Sequence, residues 1–464
     1  MTSRDIALEA ALEAASKKRP LQDVLSRRLA ESGLAPRDRA LAEEIAFGAL
    51  RRRLSLHIAL GRIVSRPIAK MQPALAEALR QGAYQILFLD RIPARAAVSE
   101  TVEVVKARLG RKPGGMANAV LRALSRLVKE KGVGPDDLVN PPTALASRGG
   151  LFTTLSERLL PDPATDEAGW LAGSYGYPKW LVERWIARHG RERAETILEW
   201  GNTPPPLTAR ISQSRFPEWP LSEADAARAF RGCRDFAPAE VPGTYRLVPE
   251  VAPAELPGLA EGLFTIQDET QVRPARILSP PPNSRVLDLC AGLGTKATHL
   301  AEMVGPEGSV VALERDGAKL VKARDAAARL GLENITFIKG DALSPPEEAL
   351  GPFDFVLLDA PCSNLGALDR RPEVRFRAGL AAMATLTATE IELLAGAFSR
   401  VAPGGALVYS VCSFEPEEGS DLVRAALEGE DGFSLESESI VIPEAGARDG
   451  GYAARIIRAS GGTP

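Results

Sequence analysis

From about residue 264 onward the chain alternates short apolar runs with helix-length stretches, and that rhythm limits the fold more than any other feature. VLDLC (286–290), SVVALE (309–314), ITFIK (335–339), FDFVLLD (353–359) and ALVYSV (406–411) are β-branched or leucine-rich. Strands of this kind separated by roughly ten or more helical residues imply βαβ units and a mostly parallel sheet covered on both faces. In such open sheets ligands lie beyond the carboxyl ends of the strands. The residues that follow each run are therefore where chemistry is expected.

The rest of the chain follows another pattern. Its 464 residues exceed what one hydrophobic core serves, so several domains are expected. ALAEEIAFGAL (40–50), ALAEALRQGAYQILFL (74–89) and AAVSETVEVVKARLG (96–110) repeat apolar residues at three- and four-residue spacings. Pro67, Pro73 and Pro93 fall between such segments, where helices break. Residues 1–135 are thus expected to form an all-α bundle. Residues 136–170, richer in Pro, Gly and Asp, read as a linker. Residues 171–262 read as a small mixed α/β connecting subdomain, with Trp180, Trp185 and Ile186 on one helical face. Residues 263–464 then form the α/β domain.

Charge divides along the same lines. The net charge is −3, yet residues 51–135 hold 17 basic against 5 acidic side chains. A basic module joined to an acidic remainder is the signature of polyanion binding. The N-terminus lacks the basic start and continuous apolar stretch of a secretory signal. No unbroken run of about eighteen apolar residues suggests a membrane span. A cytoplasmic protein without membrane association is expected. The four cysteines, Cys233, Cys290, Cys362 and Cys412, are too scattered for a disulfide framework or a metal cluster, so no metal is expected.

The segment 286–302 reads as strand, glycine turn and helix. Gly292 and Gly294 permit positive φ and close ligand approach. Gly292-x-Gly294-x-x-Ala297 fits a dinucleotide fingerprint as well as an S-adenosylmethionine (AdoMet) turn. Two acids tilt the choice. Glu314 ends the second strand, 20 residues after Gly294, where it can accept ribose hydroxyls. Asp341 follows the third strand, where an acceptor for the adenine amino group belongs. The expected AdoMet contacts are Cys290, Ala291, Gly292, Leu293, Gly294, Thr295, Lys296, Glu314, Asp341 and Asp359.

Cys362 ends the fourth strand, in DAPCS (359–363), and Cys412 ends the fifth, in VYSVCS (408–413). In a doubly wound sheet these strands are neighbours, so both thiols open onto one site beside the glycine turn. Methylation at C5 of a pyrimidine needs such thiols. C5 of cytosine is a poor nucleophile until a thiolate adds to C6 and makes C5 enamine-like. Asp359 would hydrogen-bond the base edge and favour the addition. The attacking group must be a thiolate, and none of His57, His189 and His299 is an obvious activator, so the activating group stays open.

DAPCSNLGALDRRPEVRF (359–376), LVYSVCSFEPEEG (407–419), FTIQDETQ (264–271) and DGGYAARI (449–456) together resemble the RsmB/Sun group of RNA 5-methylcytosine methyltransferases. DRALAEEIAFGALRRR (38–53), LRQGAYQILFLDRIPARAAVSETVEV (79–104) and GMANAVLRAL (115–124) resemble the NusB-like RNA-binding domain fused to the small-subunit rRNA member of that group. The resemblance implies a multidomain chain, with a NusB-like bundle followed by a Rossmann-like AdoMet-dependent fold on a seven-stranded, mostly parallel sheet. It implies Cys412 as nucleophile, Cys362 as an aid to product release, small-subunit rRNA as partner, and a monomer. Arg370, Arg371, Arg375 and Arg377 would form a phosphate-contacting strip. The sequence departs from the group's Ala-Pro-Gly-Gly-Lys-Thr loop with Gly292-Leu293-Gly294-Thr295-Lys296-Ala297, and Val411 stands where the group has Thr. An assembly factor with an inactive catalytic domain, a tRNA methyltransferase, and a small-molecule Rossmann enzyme are the competing readings. Retention of Glu314, Asp341, Asp359, Cys362 and Cys412 counts against the first, and the basic bundle against the last.

Overall fold

A computed structural model describes residues 1–461. It divides into two compact units. The first comprises Met1–Pro204 together with Leu368–Arg377, and the second comprises the remainder.

The first unit opens with seven helices: α1 (Ser3–Lys17), α2 (Leu21–Ala30), α3 (Pro36–Arg51), α4 (Arg53–Gly61), α5 (Pro73–Phe88), α6 (Ala94–Leu109) and α7 (Arg111–Leu127). Thr2 and Asp5 form a capping box on α1, satisfying two amides that a helix start leaves bare. Pro36 and Pro73 open α3 and α5, where the missing N–H costs nothing. Ile6, Leu25 and Ile45 close a core among α1, α2 and α3. The expected bundle stops short of residue 135, because Val128–Val133 is a strand, β1.

The expected linker is not a linker. β1 pairs antiparallel with β3 (Phe152–Leu155), which pairs with β2 (Ala144–Ala146). These strands are short, and β1 reads VKEKGV, so the apolar signal is weak even though β2 is fully buried. The helices α8 (Glu167–Tyr175), α9 (Lys179–His189) and α10 (Arg191–Trp200) belong to this first unit. The expected connecting subdomain is therefore divided, and only its part after Pro204 lies in the second unit.

The second unit begins with a four-stranded antiparallel sheet of β4 (Leu207–Ile211), β5 (Cys233–Pro238), β6 (Thr244–Pro249) and β7 (Phe264–Ile266), in the order β5-β6-β4-β7. The small helices α11 (Glu223–Ala229) and α12 (Pro257–Ala260) accompany it, and α13 (Glu269–Leu278) leads out of it. Then come β8 (Arg285–Asp288), α14 (Thr295–Val304), β9 (Ser309–Glu314), α15 (Gly317–Leu330), β10 (Ile335–Lys339), β11 (Phe353–Asp359), α16 (Leu380–Phe398), β12 (Val401–Val411), α17 (Ser420–Leu427), β13 (Phe433–Val441) and β14 (Gly451–Arg458). The seven strands run in the order β10-β9-β8-β11-β12-β14-β13. The first five are mutually parallel, while β14 is antiparallel to both β12 and β13. The five apolar runs of the sequence are the five parallel strands; β8, β9, β11 and β12 are largely buried, while β10, at the edge, is partly exposed.

α16 has the length and apolarity of a membrane span. Thr385, Thr387, Thr389, Glu390 and Glu392 interrupt its apolar residues, so a search for an unbroken run passes over it. Here it is the crossover helix before β12, with Leu393, Leu394, Ala397 and Phe398 in the core of the sheet.

Candidate active site

The strand order brings the carboxyl ends of β8, β11 and β12 side by side. After β8 the chain turns through Gly292 (φ +57°) and Gly294 (φ +77°), a conformation that favours glycine. Gly294 is also forced by space, since a Cβ there would lie 2.8 Å from Ala323 Cβ. At Gly292 a side chain would instead point into open space, the side from which a ligand would approach the backbone. Leu293 sits exposed at the tip, while Ala291 and Lys296 are buried and Cys290 and Thr295 half-buried.

Glu314 caps this turn from the end of β9. Its two carboxylate oxygens accept from the Gly292 amide at 2.9 Å and the Asp316 amide at 2.8 Å. Asp341, after β10, is exposed and accepts from the Leu343 amide at 3.0 Å. Each carboxylate keeps lone pairs for a further donor. Deeper in, Asp288 at the end of β8 is fully buried, and neither of its oxygens has a normal hydrogen-bond partner. Burial, and then repulsion from Asp359, push its carboxyl up to about 7 against the pull of the Lys296 charge and the Cys290 amide. An orphaned acid beneath a two-glycine cradle, with acids at two neighbouring strand ends, suits a cofactor that carries an amino group and a ribose.

Asp359 ends β11 and takes two donors. Lys296 Nζ reaches it at 2.7 Å and Ser410 Oγ, its register partner on β12, at 2.8 Å. Lys296 also donates to Gln271 Oε1 at 2.7 Å. Burial works against the Lys296 charge, but Asp359 and then Cys412 outweigh it, holding the ammonium above its ordinary range. Lys296 is thus the cation near Cys412 that the sequence reading left unnamed.

The two thiols meet. Cys362 is buried, Cys412 half-buried, and their side chains lie within hydrogen-bonding reach. The bond to Cys412, then burial, push the Cys362 thiol well up, so it stays protonated. Burial does the same to Cys290. The loop carrying Cys362 is clamped twice. Glu418, fully buried, accepts from the Ser363 amide and hydroxyl, each at 2.6 Å. The Gly366 amide donates to the Cys412 carbonyl at 3.0 Å. Asp288, Gln271, Ser410 and Glu418 were not singled out from sequence. Each lies inside a quoted motif, but only Asp288 carried a local signal, an acid at a strand end.

The arginine strip needs correction. Leu368–Arg377 folds with the first unit, and Arg375 is fully buried there. Its guanidinium donates to the Arg51 carbonyl at 3.0 Å, Asn202 Oδ1 at 3.1 Å and the Gly201 carbonyl at 2.7 Å. It also lies 3.9 Å from the centre of the Tyr177 ring. Burial lowers it to about 10. Arg375 therefore cannot meet a phosphate. Arg371 and Arg377 are exposed, and Arg370 is half-buried.

Comparison with known proteins agrees with the geometry. The 16S rRNA methyltransferase RsmB/F family matches residues 275–457, the NusB family residues 1–126, and an RsmF/B-like ferredoxin-like domain residues 177–218. The probable ribosomal RNA small subunit methyltransferase B of Synechocystis sp. is 31% identical, over 89% of this chain and 86% of its own. The ribosomal RNA small subunit methyltransferase B of Klebsiella pneumoniae is also 31% identical, over 91% of this chain and 89% of its own. In fold, the crystal structure of PH0851 is similar, with a TM-score of 0.79 over 98% of this chain and 99% of that one at 21% identity. The 31% identity to those two methyltransferases, over more than four-fifths of each chain, settles kinship: the protein belongs to the ribosomal RNA small subunit methyltransferase B family.

Proposed function

We propose that the protein methylates C5 of a cytosine in small-subunit (16S) ribosomal RNA through a covalent bond between Cys412 Sγ and C6 of the base. The observation that carries this reading is the meeting of the Cys412 and Cys362 thiols beside the Lys296–Asp359 pair. AdoMet is the methyl donor and supplies an electrophilic methyl group when bound. Gly292 and Gly294 let its methionine portion lie against the backbone, Glu314 accepts the ribose hydroxyls, and Asp341 accepts the adenine amino group. Cys290, Ala291, Leu293 and Thr295 complete the turn. Lys296 favours the thiolate of Cys412, and Asp359 holds the edge of the base. Addition of the Cys412 sulfur to C6 makes C5 nucleophilic. After C5 is methylated its proton passes to water, the C–H electron pair restores the C5=C6 bond, and the C6–S bond breaks with its electrons on sulfur. Cys362, held as a thiol, hands its proton to the departing sulfur.

The helices of the first unit carry the excess of basic residues and hold RNA by its phosphates, with Arg371 and Arg370 assisting. The target base is unstacked to reach the thiols. One chain supplies both thiols, the acid and the glycine turn, which supports a monomeric working form.

Cys412→Ala is expected to abolish methyl transfer to 16S rRNA. Cys362→Ala is expected to accumulate a protein–RNA adduct that survives denaturation. Normal turnover by Cys412→Ala would refute the assignment of the nucleophile. Bisulfite sequencing of RNA from a strain lacking the gene is expected to show loss of one cytosine signal in small-subunit rRNA. Loss of a tRNA signal instead would overturn the substrate.

A further inference from the structure

We propose that Arg375 is a positioning residue: by seating Leu368–Arg377 in the helical unit it fixes the loop that carries Cys362, and so sets the rate of methyl transfer rather than the affinity for RNA. The proposal rests on the reading of Cys412 and Cys362 as the reacting thiols.

The loop is short and held at close intervals. From Asp359 the chain runs to Cys362, to Ser363 on its Glu418 clamp, and to Gly366. Gly366 donates to the Cys412 carbonyl at 3.0 Å and accepts from the Gly450 amide at 2.8 Å. Only Ala367 then separates Gly366 from Leu368, where the segment folded into the first unit begins. Fully extended, that step gives about 7 Å of reach, so a shift of the seated segment is passed on rather than absorbed. On the far side, Ala378 and Gly379 lead straight into α16, which packs on β11 and β12. The segment is thus a strap with one end in the loop that carries Cys362 and the other in α16, packed on β11 and β12.

Its grip is strong and specific. Leu368, Asp369, Pro372 and Arg375 are all buried. Arg51 donates to the Asp369 carbonyl at 2.7 Å, in return for the bond its own carbonyl accepts from Arg375. The seat is shaped for a guanidinium. A Cβ on residue 201 would come 2.2 Å from Tyr177 Oη and 3.2 Å from Arg375 Nη2, so glycine at 201 makes the room. Three acceptors spread around a planar fork, with an aromatic ring on its face, suit a guanidinium; an ammonium gathers its three donors at one point and has no flat face to stack. A phosphate contact would tolerate lysine, whereas this seat does not.

The test uses the full-length protein, AdoMet and a 16S rRNA fragment bearing the target, with Arg375→Lys and Arg375→Ala beside wild type. Both variants are expected to bind the fragment within about twofold of wild type, with an unchanged salt dependence. Both should lose roughly tenfold or more in single-turnover methyl transfer at saturating RNA, since small displacements of reacting groups carry penalties of that order. Amide hydrogen exchange is expected to quicken at residues 359–367, a readout that needs no activity. Asn202→Ala, which removes one acceptor from the seat, should show the same effects in smaller measure, and it decides the matter if the Arg375 variants do not fold. An unchanged rate, or a normal rate with lysine, would overturn the proposal. So would a fall in affinity with the salt slope reduced by about 0.7 to 0.9, the mark of one lost phosphate contact. If wild type itself makes no 5-methylcytosine, the proposed function fails, and the exchange measurement still decides the strap.

Discussion

The two units put buried charge to different ends. The helical unit buries Arg51, Arg52 and Arg375 against carbonyl oxygens and the rings of Phe47, Phe88 and Tyr177. Burial lowers these guanidiniums, Arg52 and Arg375 to about 10, so they remain charged at neutral pH and act as permanent fasteners. The catalytic unit buries acids. Burial lifts Asp288 to about 7 and Glu390 to about 8, each with help from a neighbouring acid. Those groups change protonation under ordinary conditions. Fixed charge holds the one unit together, while movable protons gather where the other does chemistry.

The contrast is tested most sharply at Lys296, a buried cation paired with an acid of the site. Lys296→Met leaves Asp359 without its ion-pair partner, and removing one member of a buried pair costs about 3 to 5 kcal/mol. Urea unfolding should show that loss, and single-turnover methyl transfer should fall by roughly a hundredfold, the scale of losing one electrostatic contact to a reacting group. A variant that kept both would strip the pair of its role.

A smaller effect sharpens the difference. Folding raises Asp288 from about 3.9 to about 7, so the folded state holds an extra proton between those values. Its contribution is most favourable below pH 4 and is lost as pH climbs toward 7. Asp288→Asn cannot lose a proton. Its stability relative to wild type should therefore rise from about pH 4 to about pH 7 and then level off, as urea midpoints across pH would show. A flat difference would mean that Asp288 is ionised throughout. The smallest effect belongs to Arg371→Ala. This exposed side chain should change stability by less than about 0.5 kcal/mol and weaken RNA binding slightly, with a shallower salt dependence.

Much of this was legible in the sequence because the strands of a parallel sheet are mostly covered and therefore read as short apolar runs. The five apolar runs became β8 to β12, and the residues after them built the site. β13 escaped because FSLESESIV is half polar and largely exposed, as an edge strand can be. β1 escaped for a similar reason, since VKEKGV carries no alternating apolar face. Arg375 was misread for a deeper one. Four arginines within eight residues look like a surface, and nothing local shows that one of them finds Tyr177 and Asn202, nearly two hundred residues away in the chain. The pairing of Lys296 with Asp359 was equally long-range, although both residues had been chosen for other reasons.

A helical unit completed by ten residues taken from between β11 and β12 cannot be traded as a cassette. A fragment ending at Pro204 would be left with a vacant seat at Tyr177, Gly201 and Asn202. A catalytic half joined to a foreign partner would keep Arg375 with nothing to receive it. Exchange by recombination at one junction would have to install both halves of the fastening at once, so the two units are bound to be inherited as a pair.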